Sequence, residues 1–136
     1  MTEQKRSKLS GIQTGITGEY LVAAELSRRG YVATLTLRNT RGIDILASNL
    51  DANRSVGIQV KTAQGIKPKW MMNKKAETDL AENLVYVFVC LVPDGSASFH
   101  VVPRQVVAKY VRESHAEWLR TPGRRGQARA GTTLRG

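Results

Sequence analysis

Two short segments that combine apolar with polar residues constrain the fold of this chain most strongly. The first is GIDILA (42–47), and the second is QVK (59–61), which follows a short turn-like stretch. Both segments favour β-strands, and alternation along the second strand places Gln59 and Lys61 on the same face. If Asp44 lies at the end of the adjacent strand, an acid, an amide and an ammonium group meet at one point.

This combination of groups suits phosphodiester chemistry with a divalent metal. Mg²⁺ prefers oxygen ligands and keeps several waters, so a few protein oxygens are enough to bind it. Each residue alone also has a simpler explanation. Asp44 can begin a turn, and Gln59 and Lys61 can form the solvent face of an edge strand. Their joint occurrence on consecutive predicted strands favours a metal site.

The order of the predicted elements indicates an α/β fold. We predict a helix from an N-cap at Thr17 to Arg29, with Gly30 in the left-handed position that follows a helix. Strands are predicted over Tyr31–Leu37, Ile43–Ala47, Val56–Thr62, Leu84–Val92 and Phe99–Val102, with a polar, weakly helical segment over Lys69–Glu82. A mixed central sheet of about five strands, flanked by helices, would bury the apolar residues of these elements.

A last helix is predicted to begin at Pro103, a residue that fits the first helical position. Its apolar stripe is formed by Val106, Val107, Tyr110 and Val111. In the first helix, Glu19 shares a stripe with apolar residues, so an acid faces the predicted sheet.

The charge of the chain indicates a polyanionic partner. Its net charge of +10 and pI of about 10.3 favour nucleic acid, with an anionic membrane surface as the alternative. No apolar stretch approaches the roughly 18 residues that span a bilayer. The first ten residues are polar and do not resemble a secretory signal. Because Cys90 is the single cysteine, we expect a buried thiol in a reducing, cytoplasmic environment.

The size and composition predict one domain with two basic flanks. A length of 136 residues fits a single domain, which we assign to residues 14–120. Residues 1–13 are interpreted as a flexible basic arm. Residues 121–136 alternate glycine with arginine and contain no acid, so this tail is predicted to be disordered.

Glu19, Asp44 and the QVK segment (59–61), in this order, resemble the PD-(D/E)XK nuclease superfamily. The stretches GEYLVAAELSRRGY, GIDILA and GIQVK are most similar to Mrr-type restriction endonucleases and archaeal-type Holliday junction resolvases, in a QxK variant. The resemblance covers residues 15–112. It implies a restriction-endonuclease-like core, an endonuclease acting on DNA with Mg²⁺ or Mn²⁺, and a homodimer.

The resemblance also implies a role for each residue of the predicted site. Asp44 corresponds to the metal-binding acid, Gln59 to the second acid position, and Lys61 to the catalytic lysine. Glu19 corresponds to an acid supplied by the first helix, and the backbone carbonyl of Val60 is a further metal ligand. Because Gln59 is an amide, the site has one negative charge fewer than the common pattern.

Basic, polar and aromatic residues around this site are candidates for contact with nucleic acid. Cations suit phosphates, and an exposed aromatic ring can stack on a base, although Trp70 can equally be a core residue. The candidates are Arg38, Arg41, Thr62, Gln64, Lys67, Lys69, Trp70, Lys74 and Lys75.

Three functions therefore remain open at the level of sequence. The first is a metal-dependent DNA endonuclease acting in restriction, repair, recombination or mobile-element defence. The second is a nucleic-acid-binding module on the same fold that does not cleave, which Gln59 favours. The third is an RNA-binding accessory protein, which the arginine- and glycine-rich tail favours.

Overall fold

Among the described residues, a five-stranded sheet carries one helix on each face. The structure is a computed structural model that describes residues 9–37, 42–65, 71–73, 83–92, 94–120 and 133–135. In chain order the elements are helix α1 (Gly11–Arg28), strands β1 (Val32–Leu35), β2 (Ile45–Ser48), β3 (Ser55–Gln64), β4 (Met71–Asn73), β5 (Leu84–Leu91) and β6 (Ala97–Pro103), helix α2 (Arg104–Arg120) and strand β7 (Thr133–Arg135).

The main sheet has the strand order β1-β2-β3-β5-β6 and is mixed. Strands β3 and β5 are parallel, and the other neighbouring pairs of this sheet are antiparallel. Strands β4 and β7 form a separate antiparallel pair. The predicted α/β class, with a mixed sheet of about five strands between helices, is confirmed.

The two helices cover different halves of the sheet on opposite faces. Helix α1 packs on β1 and β3, where Val22 joins a buried cluster with Ile45 and Ile58. Helix α2 packs on β5 and β6, where Val107 and Val111 contact buried residues of β5. Because side chains alternate along a strand, the face of β3 that contacts α1 excludes Gln59 and Lys61.

The first helix begins earlier than predicted. Ser10, and not Thr17, is the N-cap, and it forms a capping box with Gln13. The Thr17 hydroxyl donates instead to the Gln13 carbonyl within the helix, at 2.7 Å. Residues 11–13, which we assigned to the basic arm, therefore form the first turn of α1.

The predicted stripe of the last helix is partly wrong. Val107 and Val111 are buried, but Val106 is 56% exposed and Tyr110 is 57% exposed. Ala108 is buried in their place, so the contact face is rotated toward a small residue that the apolar pattern did not single out. Pro103 ends β6, and the helix follows directly after it.

Two short strands lie where other structure was predicted. Strand β4 falls within the segment that we assigned weak helical character, and β7 falls within the predicted disordered tail. Both are explained by their pairing with one another, a contact between segments far apart in sequence. Residues 121–132 of the tail and residues 1–8 of the arm lie outside the described residues.

Gly18 is the point of closest approach between α1 and the sheet. A Cβ atom built at this position would lie 1.7 Å from Oγ1 and 2.8 Å from Cβ of Thr62. Only glycine therefore allows the helix to lie this close to β3. This contact fixes the position of α1 along the strand.

We expect Gly18→Ala to destabilise the protein by about 2 kcal/mol, because overpacking exceeds the gain of about 1 kcal/mol in helix propensity. Urea unfolding measures the difference. Gly15→Ala is the matched control, since a Cβ at Gly15 meets no atom within 4 Å. Equal stability changes in the two variants would contradict the assigned contact.

Candidate functional site

The main chain of Asp44 is held between two strands. Its N–H donates to the Ile58 carbonyl on β3 at 2.8 Å, and its own carbonyl accepts from the Thr36 N–H, just after β1, at 3.0 Å. Regular pairing of β2 with β3 ends at the next residue, where Ile45 lies opposite Ile58. Asp44 therefore occupies the point at which β3 continues without β2 beside it.

Where the pairing of β2 with β3 stops, the Asp44 side chain replaces the missing backbone acceptor. Its Oδ2 accepts a hydrogen bond from the Val60 N–H at 2.7 Å. The N–H and C=O of one strand residue point to the same edge, so the Val60 carbonyl also faces the edge that Asp44 occupies. A carboxylate and a backbone carbonyl are thus brought to one edge of β3.

Lys61 lies within electrostatic range of this carboxylate. Burial lowers the pKa of the Lys61 ammonium, and the negative charge of Asp44 partly opposes that shift. Gln59 is half-buried and lies two residues earlier on the same face of β3. The fold therefore brings Asp44, the Val60 backbone and Lys61 together, with Gln59 on the same face as the lysine.

Glu19 lies on α1, which packs on the face of β3 opposite Gln59 and Lys61. Ala23 and Leu26, which share its helical face, pack against the cluster that contains Ala33 of β1. The preceding residue, Gly18, contacts Thr62 on that same face of β3. The Glu19 side chain is half-buried.

An all-acidic metal cluster is absent from the part of the chain that the structure describes. No three His, Cys, Asp or Glu side chains are grouped there in a way that would hold a metal ion.

Thr62 and Gln64, which we predicted to contact phosphate, make contacts with α1. The Thr62 hydroxyl is buried against the helix and has no hydrogen-bond partner among the described residues. The Gln64 amide bonds both the N–H and the carbonyl of Leu9, at 3.2 and 3.0 Å, and the Thr14 hydroxyl at 2.6 Å. Strand alternation places both residues on the face opposite Lys61. To contact a phosphate bound beside Lys61, their side chains would have to break their contacts with α1.

The remaining predicted nucleic-acid contacts lie outside the described residues. These are Arg38, Arg41, Lys67, Lys69, Trp70, Lys74 and Lys75.

The sequence interpretation missed Thr36. Its hydroxyl donates to the Ile43 carbonyl and lies 3.2 Å from the Asp44 carbonyl. A threonine in a predicted strand is common, and the contact depends on how β1 pairs with β2. No local pattern in the sequence identifies it.

Comparison with known proteins finds similarity to a solved structure. No protein-family model matches the chain, and no curated protein matches it. The chain is similar to the Holliday junction resolvase Hjc of Archaeoglobus fulgidus, with 18% sequence identity and a TM-score of 0.47. The similarity covers 67% of this chain and 73% of that chain. An identity of this size assigns no role to any residue here.

We expect Lys61→Met to stabilise the protein at pH 7. The pKa of Lys61 is lowered in the folded state, so the unfolded chain binds the proton more tightly. The cost of burying the charged amine is fully present below the lowered pKa and disappears as the pH rises toward the ordinary value of 10.5. The stability difference between variant and wild type should therefore shrink with rising pH.

Urea unfolding at several pH values from 7 to the alkaline range measures this difference. Lys109→Met, at an exposed position of α2, is the control and should show no such trend. A Lys61→Met variant that is less stable than the wild type at pH 7 would contradict the expectation.

Proposed function

We propose that this protein is a Mg²⁺-dependent nuclease that hydrolyses phosphodiester bonds in DNA. The observation that supports the proposal best is the grouping of the Asp44 carboxylate, the Val60 backbone and Lys61 where β2 ends beside β3. Burying charged groups costs free energy. A half-buried acid directly before β2 and a half-buried lysine on β3 are therefore unusual for strands whose role is only structural.

The oxygen donors near this point suit a hard cation. Asp44 would be the principal ligand, with the Val60 carbonyl and the Gln59 amide oxygen as further ligands. Glu19 would join them if its side chain reached past the unpaired edge of β3 from the α1 face. The hydrogen bond from the Val60 N–H already orients the Asp44 carboxylate, so it needs little rearrangement to bind an ion. When bound, the ion lowers the pKa of a water molecule and neutralises charge on phosphoryl oxygens.

Lys61 is suited to act on the phosphodiester itself. Half-burial excludes part of the surrounding water, so the ammonium interacts more strongly with the charge that develops on the phosphoryl oxygens. The lowered pKa of Lys61 also makes loss of its proton easier than for an exposed lysine. We therefore propose that Lys61 binds the phosphoryl group or positions the attacking water.

The net charge of +10 supports a nucleic-acid substrate, because neutralising phosphates releases counterions. None of the described helices is long and apolar enough to cross a membrane. We further propose that the nuclease is a cytoplasmic homodimer, as the family resemblance implies.

A second candidate function is a DNA-binding module that does not cleave. Gln59 favours this function, because a neutral amide binds Mg²⁺ more weakly than a carboxylate does. The same residue allows the two functions to be separated experimentally.

We expect Asp44→Asn and Lys61→Met to lower the rate of DNA cleavage by about 100-fold or more. The first removes the charge of the principal metal ligand, and the second removes a charge that acts on the reacting phosphate. Cleavage of supercoiled, branched and single-stranded DNA with Mg²⁺, Mn²⁺ or EDTA measures the effect. Binding of DNA should change little. Asp51→Asn, in the exposed hairpin between β2 and β3, is the control. Cleavage that persists both in Asp44→Asn and in EDTA would overturn the proposal.

We expect Gln59→Glu to lower the Mg²⁺ concentration needed for half-maximal cleavage by about tenfold, because a carboxylate adds a negative charge to the ligands. Gln105→Glu adds the same charge at an exposed position of α2 and should have no effect. If the wild type does not cleave and Gln59→Glu does, the non-cleaving function is favoured. An unchanged Mg²⁺ requirement would contradict a role for residue 59 in metal binding.

A further inference from the structure

We propose that Thr36 is a positioning residue that sets the orientation of the Asp44 carboxylate. The role in catalysis rests on the proposed nuclease function, whereas the structural role does not. Thr36 follows β1 directly and contacts neither the Val60 backbone nor Lys61 in the described hydrogen bonds. Its effect on the site would pass through Asp44.

Two groups of Thr36 hold the chain around Asp44. Its N–H donates to the Asp44 carbonyl at 3.0 Å, which extends the β1–β2 ladder by one residue. Its hydroxyl donates to the Ile43 carbonyl, one residue beyond the reach of the ladder. The hydroxyl therefore substitutes for strand pairing at the position where pairing has ended.

The peptide unit between Ile43 and Asp44 is consequently fixed from both sides. Its carbonyl oxygen accepts from the Thr36 hydroxyl, and its N–H donates to the Ile58 carbonyl at 2.8 Å. A peptide unit is planar, so two opposed hydrogen bonds set its tilt. The tilt of this plane sets the φ angle of Asp44 and hence the direction in which its side chain leaves the backbone.

That direction determines whether Asp44 reaches its partner. The carboxylate Oδ2 accepts from the Val60 N–H at 2.7 Å, a short distance that tolerates little rotation of the backbone. Gly42, two residues before Asp44, adopts a φ of +69°, a backbone conformation that glycine reaches more readily than other residues. Without the Thr36 hydroxyl, the Ile43 carbonyl would lose its fixed partner beside that glycine.

Thr34 provides a matched control on the same strand. It is exposed and lies opposite Leu46 in the β1–β2 pairing, two residues away from the Asp44 contact. Thr34→Val therefore removes the same hydroxyl group from the same strand without touching Ile43 or Asp44. Thr36→Ser keeps the hydroxyl at the position of interest and removes only the methyl group.

The experiment compares Thr36→Val, Thr36→Ser and Thr34→Val with the wild type. We expect Thr36→Val to lower kcat and raise the Mg²⁺ concentration for half-maximal cleavage, each by about tenfold, as for loss of other partners that orient metal ligands. The KM for DNA should stay unchanged. Thr36→Ser should restore both values, and Thr34→Val should match the wild type.

A second measurement does not depend on cleavage. Hydrogen exchange of the Val60 amide, followed by NMR, reports the hydrogen bond to Asp44. Protection of this amide should fall about tenfold in Thr36→Val relative to the amides of β5, which report global unfolding. It should be retained in Thr36→Ser and in Thr34→Val.

The outcomes separate the two proposals. Unchanged Val60 protection in Thr36→Val would overturn the positioning role, whether or not the protein cleaves DNA. Loss of stability in Thr36→Val, with β5 amides losing protection equally, would also overturn it in favour of a general structural role. If the wild type does not cleave but Val60 protection falls as expected, the positioning role is supported and the nuclease function is not.

Discussion

The unequal lengths of β2 and β3 determine most of what is distinctive in this structure. Strand β2 pairs only with the first residues of β3, whereas β5 pairs with β3 from Gly57 to its end at Gln64. Past Ile58, β3 therefore keeps its parallel neighbour and loses its antiparallel one. Asp44 supplies the missing partner for the Val60 N–H through its side chain, so a carboxylate stands where a backbone carbonyl would otherwise be. The candidate site lies where this carboxylate replaces the backbone carbonyl of a paired strand.

The two helices lie on opposite sides of the strand that carries Lys61. Helix α1 covers β1 to β3 on one face, and α2 packs mainly on β5 and β6 on the other face. Gln59 and Lys61 point to the α2 side from the central strand, β3. Burial partly excludes water from the Lys61 amine, and the pKa of the lysine is lowered as a result.

Sequence reasoning predicted the strands and the grouping of Asp44 with Lys61, because both depend on alternation and on short apolar runs. Its errors are of two kinds: local signals that were overlooked, and a long-range contact that no local pattern encodes. The helix start was misplaced at Thr17 even though Ser10 and Gln13 form a local capping box, which was available in the sequence. For Thr62, the alternation that places Gln59 and Lys61 on one face already assigned this residue to the other face of β3. Thr36 had no local signature, because its partners depend on strand register.

The Gln64 side chain has a consequence for how the protein forms. Its amide both accepts from and donates to the main chain of Leu9, 55 residues away, much as a neighbouring strand would. Together with the close fit of Gly18 on Thr62, this bond docks α1 onto the far half of β3. Closing so long a loop costs entropy that only completed contacts repay. Helix α1 precedes β3 in the chain and is therefore synthesised before it. The helix cannot reach its final position on the sheet until β3 has also been synthesised and has formed.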